Sequence, residues 1–285
     1  MRHIVGIEVI DFEGYVFDAS TKDGSFKVLP MAGYDGILMK NTDSVYVRWK
    51  DVNMHDAFKL SEEAAEHASA QFPKPILLEF EKVMCPLALY TKKRYSFQMW
   101  QRPDQPEVRI QHVGTQVIRR DTCLYVRNLL ACVLDLILKE NKIEDALAYT
   151  RQRIGALFAN DVPIEELTLT RNYKDNYVNT NIPHVRLAHR LRDRKDVDMV
   201  RPGERIAFVM IDSADTLETP AFAKANKISL DAKAYFEKQL QTPLDMIWGL
   251  VMDPESVYHD LLCQYQKRQK KEKDMQGYLR LFHRV

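Results

Sequence analysis

The stretch NTDSVYVRW, residues 41–49, decides how the rest of the chain is interpreted. Its apolar residues Val45, Val47 and Trp49 alternate with other side chains, which is the two-residue period of a half-buried β-strand. Asp43 lies in the turn that leads into this strand, and a carboxylate in such a turn suits a hard cation such as Mg²⁺. Thr-Asp-Ser tripeptides also occur as ordinary turns and helix caps, so the residues on either side must decide between these meanings.

Size and composition are those of an ordinary globular protein. The 285 residues are 46% hydrophobic and 28% charged, which allows a substantial core and more than one domain. Because the net charge is only +1, contact with nucleic acid must come from local basic patches. The four cysteines are far apart, which predicts neither a disulfide framework nor a zinc module. Without a membrane-spanning run or a secretory signal, we expect an intracellular protein with no membrane contact, in either nucleus or cytoplasm.

Periodicity predicts an α+β chain. Short β-type runs separated by Gly and Asp predict a small all-β piece within residues 2–41. Beyond it, the helical stripe of apolar residues that begins near Asp121 predicts a mainly helical second half. The predicted elements are strands at Val5–Ile10, Tyr15–Phe17, Phe26–Leu29, Ile37–Met39 and Ile76–Phe80, a helix from Ser61 to before Pro73, a hairpin within Leu87–Met99, a strand at Leu167–Thr170, a helix at His184–Arg194, a strand at Arg205–Ile211 and a helix from Asp231.

A succession of motifs follows the turn at Asp43. They are FPKPILLEFEK (72–82), KKRY (92–95), RRD (119–121), PHVRLA (183–188), GERI (203–206) and YFEKQL (235–240). Together with the Thr-Asp-Ser turn, this succession resembles the B family of DNA polymerases, which carries Asp-Thr-Asp-Ser at the corresponding turn. Here Asn41 stands where that family has the first Asp. The resemblance implies a distal palm over 42–118 and a thumb over 119–265.

The resemblance also implies a role for each motif. Asp43 would be a ligand of the Mg²⁺ ions that assist template-directed addition of dNTPs by in-line phosphoryl transfer. The basic motif Lys92, Lys93, Arg94 and Tyr95 would hold the primer-template DNA. Cations neutralise phosphates, and the minor-groove acceptors are nearly independent of sequence, which suits a copying enzyme. At the entrance to the thumb, Arg119 and Arg120 would contact the DNA backbone and Asp121 would cap a helix.

Other parts of such a polymerase are missing from this sequence. Nothing resembles the second palm carboxylate motif, Asp-x-x-Ser-Leu-Tyr-Pro, the fingers motif, Asn-Ser-x-Tyr-Gly, or the exonuclease carboxylates. We therefore expect the chain to act with an N-terminal polymerase fragment as its partner.

The segment before the turn has a different resemblance. Residues 15–41 are similar to the last two conserved blocks of inteins, which end in Asn before Cys, Ser or Thr. The resemblance implies that Asn41 cyclises, that Thr42 accepts the upstream polypeptide as an ester, and that Asp18 assists proton transfer. Lys40 stands where most inteins have His. Since Met1 lies only forty residues upstream of Asn41, we expect residues 1–41 to be the C-terminal half of a split intein whose other half lies on the partner chain.

The last residues, 266–285, form a basic linker followed by QGYLRLFH (276–283). This end resembles the sliding-clamp peptide of polymerases, in which one helical turn places two apolar side chains together. Gln276, Leu279 and Phe282 would contact the clamp, and His283 replaces the usual second aromatic residue.

Two alternatives remain open at this point. The polymerase halves could associate without being ligated. The chain could also be a fragment that binds DNA and a clamp but has no catalytic role.

Overall fold

The computed structural model describes residues 15–20, 38–40, 44–73, 77–174, 176–179, 181–213 and 216–282. Only the backbone, and not the side chains, is described at residues 15–20, 38–40, 44, 273 and 276–282. Helices and strands are mixed, which confirms the α+β prediction. The chain divides into two compact units. The first contains the described residues up to Val113 together with Leu138–Asn141, and the second contains Gly114–Ile137 and the residues from Lys142 onward.

The first unit is built on a six-stranded sheet in the order β2-β3-β1-β4-β5-β6. Every neighbouring pair is antiparallel. Its strands are β1 (Tyr15–Ser20), β2 (Leu38–Lys40), β3 (Ser44–Trp49), β4 (Glu79–Thr91), β5 (Arg94–Arg102) and β6 (Gln105–Val113). The strand predicted after Asp43 is therefore present, and it begins at Ser44.

The predicted all-β piece does not stand apart from these strands. β1 pairs with β3 from Tyr15↔Trp49 to Ser20↔Ser44, and β2 pairs with the other edge of β3. Since isolated short strands leave backbone donors and acceptors unpaired, joining a larger sheet satisfies those groups. The strands predicted at Val5–Ile10 and Phe26–Leu29 lie outside the described residues.

One face of the sheet packs on helix α1 (Met54–Ser69). Val45, Val47 and Trp49 point to this face and form a buried cluster with α1. The start of α1 differs from the prediction at Ser61, because Asn53 caps the helix two turns earlier and its side chain accepts from the Asp56 amide at 2.9 Å. The helix also ends before Pro73, at Ser69.

Ser61 instead joins the helix to the sheet. Its buried hydroxyl accepts a 3.0 Å hydrogen bond from the indole N–H of Trp49 and donates to the carbonyl of Ala57. A predicted cap is thus an internal polar contact of the core.

The second unit combines helices with a three-stranded sheet in the order β7-β8-β9. Its helices are α2 (Leu124–Leu134), α3 (Ile143–Phe158), α4 (Ile164–Leu167), α5 (Pro183–Asp193), α6 (Pro220–Ala225), α7 (Ala232–Tyr235), α8 (Gln241–Trp248) and α9 (Glu255–Phe282), and its strands are β7 (Leu169–Asn172), β8 (Arg205–Met210) and β9 (Leu217–Glu218). Wide π-helical turns follow α2 at Asp135–Lys139, whose last two residues belong to the first unit, and α7 at Phe236–Leu240. The strand predicted at Leu167–Thr170 begins two residues later, because Leu167 ends α4.

The apolar stripe that predicted helix α2 forms its buried side. Leu130, Val133 and Leu134 are almost completely buried, as are Ile154 and Leu157 of α3. Burial of this kind supplies most of the free energy of folding. Over the described residues, no helix combines the length and the apolar character that crossing a membrane requires.

The second unit also contains a buried carboxylate that is paired with two arginines. Glu218 on β9 is only 5% exposed. Arg194 donates two hydrogen bonds to it, at 3.0 and 3.1 Å, and the guanidinium of Arg190 lies 3.6 Å away. The paired cations compensate the cost of removing the carboxylate from water.

Candidate nucleic-acid interface

The hairpin between β4 and β5 presents the KKRY motif. Thr91 and Arg94 are paired at its end, so the predicted hairpin is confirmed, and Lys92 and Lys93 form the turn. Both lysines are exposed, and Lys93 has a φ of 63°, in the left-handed region that side chains other than Gly rarely adopt. The turn therefore presents two adjacent ammonium groups that can contact phosphates.

Tyr95 is fixed by two aromatic neighbours on the face opposite α1. The hydroxyl of Tyr46 on β3 donates to the hydroxyl of Tyr95 at 2.9 Å, and the two rings meet edge to face at 5.8 Å. On the other side, Tyr95 stacks on Phe97 with ring centroids 5.8 Å apart. Contacts of this geometry favour one orientation of the Tyr95 ring.

Sequence reasoning assigned no role to Tyr46, Phe97 or Lys82, which lie on the same face of the sheet as Tyr95. Tyr46 lies in the opening motif, but its contact with Tyr95 depends on strand order, which the motif alone does not reveal. Lys82 lies on the same face, with its ammonium 6.0 Å from the Phe97 ring and 2.7 Å from Glu81. The signal for Lys82 was its position at the end of the FPKPILLEFEK motif.

The residues predicted for the metal and the splice junction have little described structure. Asn41, Thr42 and Asp43 lie outside the described residues, and for Asp18 only the backbone is described, paired with Tyr46 and Lys82. Within the described part of the chain, no three His, Cys, Asp or Glu side chains come together as a metal site.

The RRD motif of the second unit forms a turn before α2. The prediction that Asp121 caps that helix is wrong, because Cys123 occupies the N-cap position. Asp121 instead accepts two hydrogen bonds from Arg119, at 2.9 and 2.8 Å. These bonds, with the positive charge of Arg119, hold the pKa of Asp121 below its usual value. Arg120, between them, is exposed.

Arg205 at the start of β8 attaches this turn to the sheet. Its guanidinium donates to the Thr170 carbonyl at 2.8 Å, to the Asn172 side chain at 2.8 Å and to the Arg120 carbonyl at 3.3 Å. The hydroxyl of Thr170 also donates to the Arg120 carbonyl, at 3.3 Å. Arg205 therefore positions the backbone of Arg120, a role that the GERI motif did not reveal.

The residues predicted to contact a clamp lie on the last helix. α9 continues without interruption from Glu255 to Phe282, so the backbones of Gln276, Leu279 and Phe282 are helical. Their side chains are not among the described ones.

Comparison with known proteins agrees with this arrangement of motifs. The sequence model of DNA polymerase family B matches residues 39–251. The chain belongs to this family. It is similar to the DNA polymerase delta catalytic subunit of Candida albicans, with 34% identity over 221 residues, covering 75% of this chain and 21% of that protein. The Schizosaccharomyces pombe subunit is 35% identical over 222 residues, covering 76% and 20%. The chain thus spans about a fifth of the length of these curated relatives.

Proposed function

We propose that this chain is the C-terminal part of a DNA-directed DNA polymerase that adds dNTPs to a primer under the direction of a template. The observation that carries the proposal is the family match over 39–251, combined with a hairpin on which Lys92, Lys93 and the fixed Tyr95 are presented together. In this proposal residues 42–118 are distal palm and 119–265 are thumb.

The basic side chains of both units would bind the DNA backbone. Lys92, Lys93 and Arg94 belong to the first unit, and Arg119 and Arg120 belong to the second. Lys92 and Lys93 would neutralise phosphates near the primer end, and Arg94 would extend this basic surface. The Tyr95 ring would position the primer terminus. Arg119 and Arg120 would contact the backbone from the thumb, with Arg120 held by Arg205.

Asp43 would be one ligand of a magnesium centre completed by carboxylates of the N-terminal partner. Bound Mg²⁺ supplies stabilisation of the attacking and leaving oxygens of the phosphoryl transfer. Asp43, which immediately precedes the first residue of β3 in the sequence, would contribute a carboxylate oxygen.

We propose further that the two polymerase parts become one chain by splicing at the bond between Asn41 and Thr42. The Thr42 hydroxyl would first attack the carbonyl carbon that ends the upstream polymerase segment, forming an ester and breaking the bond of that carbonyl to the partner's half of the intein. The side-chain nitrogen of Asn41 would then attack its own carbonyl carbon, closing a succinimide and breaking the bond to the Thr42 nitrogen. The freed amino group of Thr42 would take the acyl group from its own oxygen, giving an ordinary peptide bond. The start of the family match at residue 39, next to this junction, supports the proposal.

The test is to mix the chain with its N-terminal partner, primer-template DNA, dNTPs and Mg²⁺. We expect one longer covalent product, a released peptide of residues 1–41 joined to no polymerase segment, and primer extension. Asn41→Ala should abolish release of the peptide. Extension without ligation would show that the two parts act as associated subunits, and DNA binding without extension would show a non-catalytic fragment.

The C-terminal end of α9 is proposed to bind a sliding clamp through Gln276, Leu279 and Phe282. On a helix, Leu279 and Phe282 are three residues apart and share one side, so they can enter one apolar pocket together. Leu279→Ala with Phe282→Ala should remove clamp-stimulated DNA synthesis and leave unstimulated synthesis unchanged. If the clamp stimulates the unchanged chain and the double variant equally, this role is excluded.

A further inference from the structure

β1 lies outside the polymerase family match but inside the sheet of the first unit. The family match begins at residue 39, so β3, β4, β5 and β6 lie inside it and β1 (Tyr15–Ser20) lies outside it. Nevertheless β1 occupies an inner position, between β3 and β4. A segment that is not part of the polymerase match therefore completes a sheet made mostly of polymerase strands.

The sheet depends on β1 for its continuity. β1 pairs with β3 at six positions, from Tyr15↔Trp49 to Ser20↔Ser44. It pairs with β4 on its other edge, from Val16↔Met84 to Ser20↔Glu79. In the strand order β3 and β4 are not neighbours, so without β1 both would have an unpaired edge next to the core.

Splicing at Asn41 would remove β1 from the finished polymerase. β2 (Leu38–Lys40) would leave with it, and the position between β3 and β4 would be empty. The side chains beside this position, Val47 on β3 and Val83 on β4, are 5% and 0% exposed with β1 in place, so the loss of β1 would leave an open backbone edge on each side of a buried cluster.

We infer that β1 is a placeholder strand, which fills the position between β3 and β4 until an extended strand of the N-terminal polymerase partner replaces it. The inference rests on the proposed function, because it requires a polymerase partner. Strand addition uses backbone hydrogen bonds, so strands of different sequence can occupy the same position.

The pairing of β1 is suited to exchange. Its register with β4 shifts between Asp18 and Ala19, which interrupts the ladder of hydrogen bonds on that side. As long as β1 stays in the sheet, the partner's strand is excluded, so the unassembled chain is folded but cannot form the complete polymerase sheet.

A disulfide that locks β1 in place tests the inference. Val16 and Arg48 face each other across β1 and β3, at a separation typical of paired strands that a disulfide can bridge. The variant Val16→Cys with Arg48→Cys should form this bond in the free chain under mild oxidation, and peptide mapping separates it from bonds of the four native cysteines. The pair Val16→Cys with Lys50→Cys, two positions out of register, should form it poorly.

The locked chain is then mixed with the N-terminal partner, and association is measured by size-exclusion chromatography and activity by primer extension. Oxidation should lower both by about tenfold or more, and a reductant should restore them. A matched lock between Arg102→Cys and Gln105→Cys, which face each other in the β5–β6 hairpin, should change neither.

Three results would overturn the inference. If the bond between positions 16 and 48 does not form in the free chain, β1 is not in the sheet. If the oxidised and reduced forms associate with the partner equally well, β1 is not replaced. If the reduced chain neither associates nor extends a primer, the proposed function itself fails, and the exchange fails with it.

Discussion

The Tyr46 hydroxyl on β3 donates a hydrogen bond of 2.9 Å to the Tyr95 hydroxyl on β5, although β1 and β4 lie between these strands. The two rings meet edge to face over the sheet. Tyr46 is 7% exposed, so the contact is shielded from water on one side. This bond ties the strand that follows Asp43 to the strand that carries the basic hairpin.

We predict that Tyr46→Phe and Tyr95→Phe each lower the free energy of unfolding by about 1 kcal/mol, the usual net value of one hydrogen bond. Unfolding of the first unit can be followed in urea by the fluorescence of Trp49 and Trp100 in a Trp248→Phe background, because Trp248 belongs to the second unit. Because both changes remove the same bond, the double variant should lose little more than either single one. Fully additive losses would show that the hydroxyls act separately.

The hairpin lysines should contribute to DNA binding mainly through charge. Lys92→Ala and Lys93→Asn should each lower the affinity of the assembled polymerase for primer-template DNA and reduce the slope of log affinity against log salt by about 0.9. Asn is chosen at position 93 because it tolerates the left-handed backbone found there. Binding is measured by fluorescence anisotropy at several salt concentrations.

Lys59→Gln provides the control for this series. Lys59 is an exposed lysine on α1, which packs against the opposite face of the sheet. Its replacement removes the same charge from the same unit and should leave the slope unchanged. An equal loss of slope in all three variants would indicate general electrostatic attraction and no specific role for the hairpin.

Local sequence patterns predicted the elements that local chemistry determines. The alternation of Val45, Val47 and Trp49 predicted β3, because the period of the side chains carried the signal. The hairpin predicted within Leu87–Met99 is also present, with its turn at Lys92 and Lys93. The apolar stripe of α2 was informative for the same reason.

Features that depend on distant contacts were not predictable in this way. Ser61 has the chemistry of a helix cap, but its hydroxyl bonds to Trp49, and Asn53 caps the helix. Asp121 is likewise a good cap residue, but the fork of Arg119 matches its carboxylate better. The position of β1 depends on strand order, which side-chain alternation does not encode.

Arg205 should affect DNA binding by positioning Arg120 and not by its own charge. Lys keeps the charge but cannot reproduce the planar fork that contacts Thr170, Asn172 and the Arg120 carbonyl. Arg205→Lys should therefore lower affinity for primer-template DNA a few-fold and leave the salt slope nearly unchanged. Arg120→Ala, in contrast, should reduce the slope of log affinity against log salt by about 0.9, the value for one phosphate contact. A reduced slope in Arg205→Lys would instead indicate that Arg205 itself contacts DNA.

Acid should destabilise the second unit through His184. Its ring nitrogen Nε2 lies 3.1 Å from the Tyr177 hydroxyl, and the two rings meet edge to face. Burial, and then the positive charge of Arg171, lower the pKa of His184 below its usual value. The unfolded chain, with an ordinary histidine pKa near 6.5, therefore binds this proton more readily than the folded chain does.

The sign of the effect follows from this difference. The stabilising contribution of neutral His184 is fully present above about pH 6.5 and is lost as the pH falls through the lower pKa of the folded state. His184→Gln removes this titration, so its stability should fall less between pH 7.5 and 5 than that of the unchanged chain. His189→Gln, at an exposed position on the same helix, should retain the original pH dependence. Denaturant midpoints measured by circular dichroism across this range test the prediction, and parallel curves for the unchanged chain and His184→Gln would contradict it.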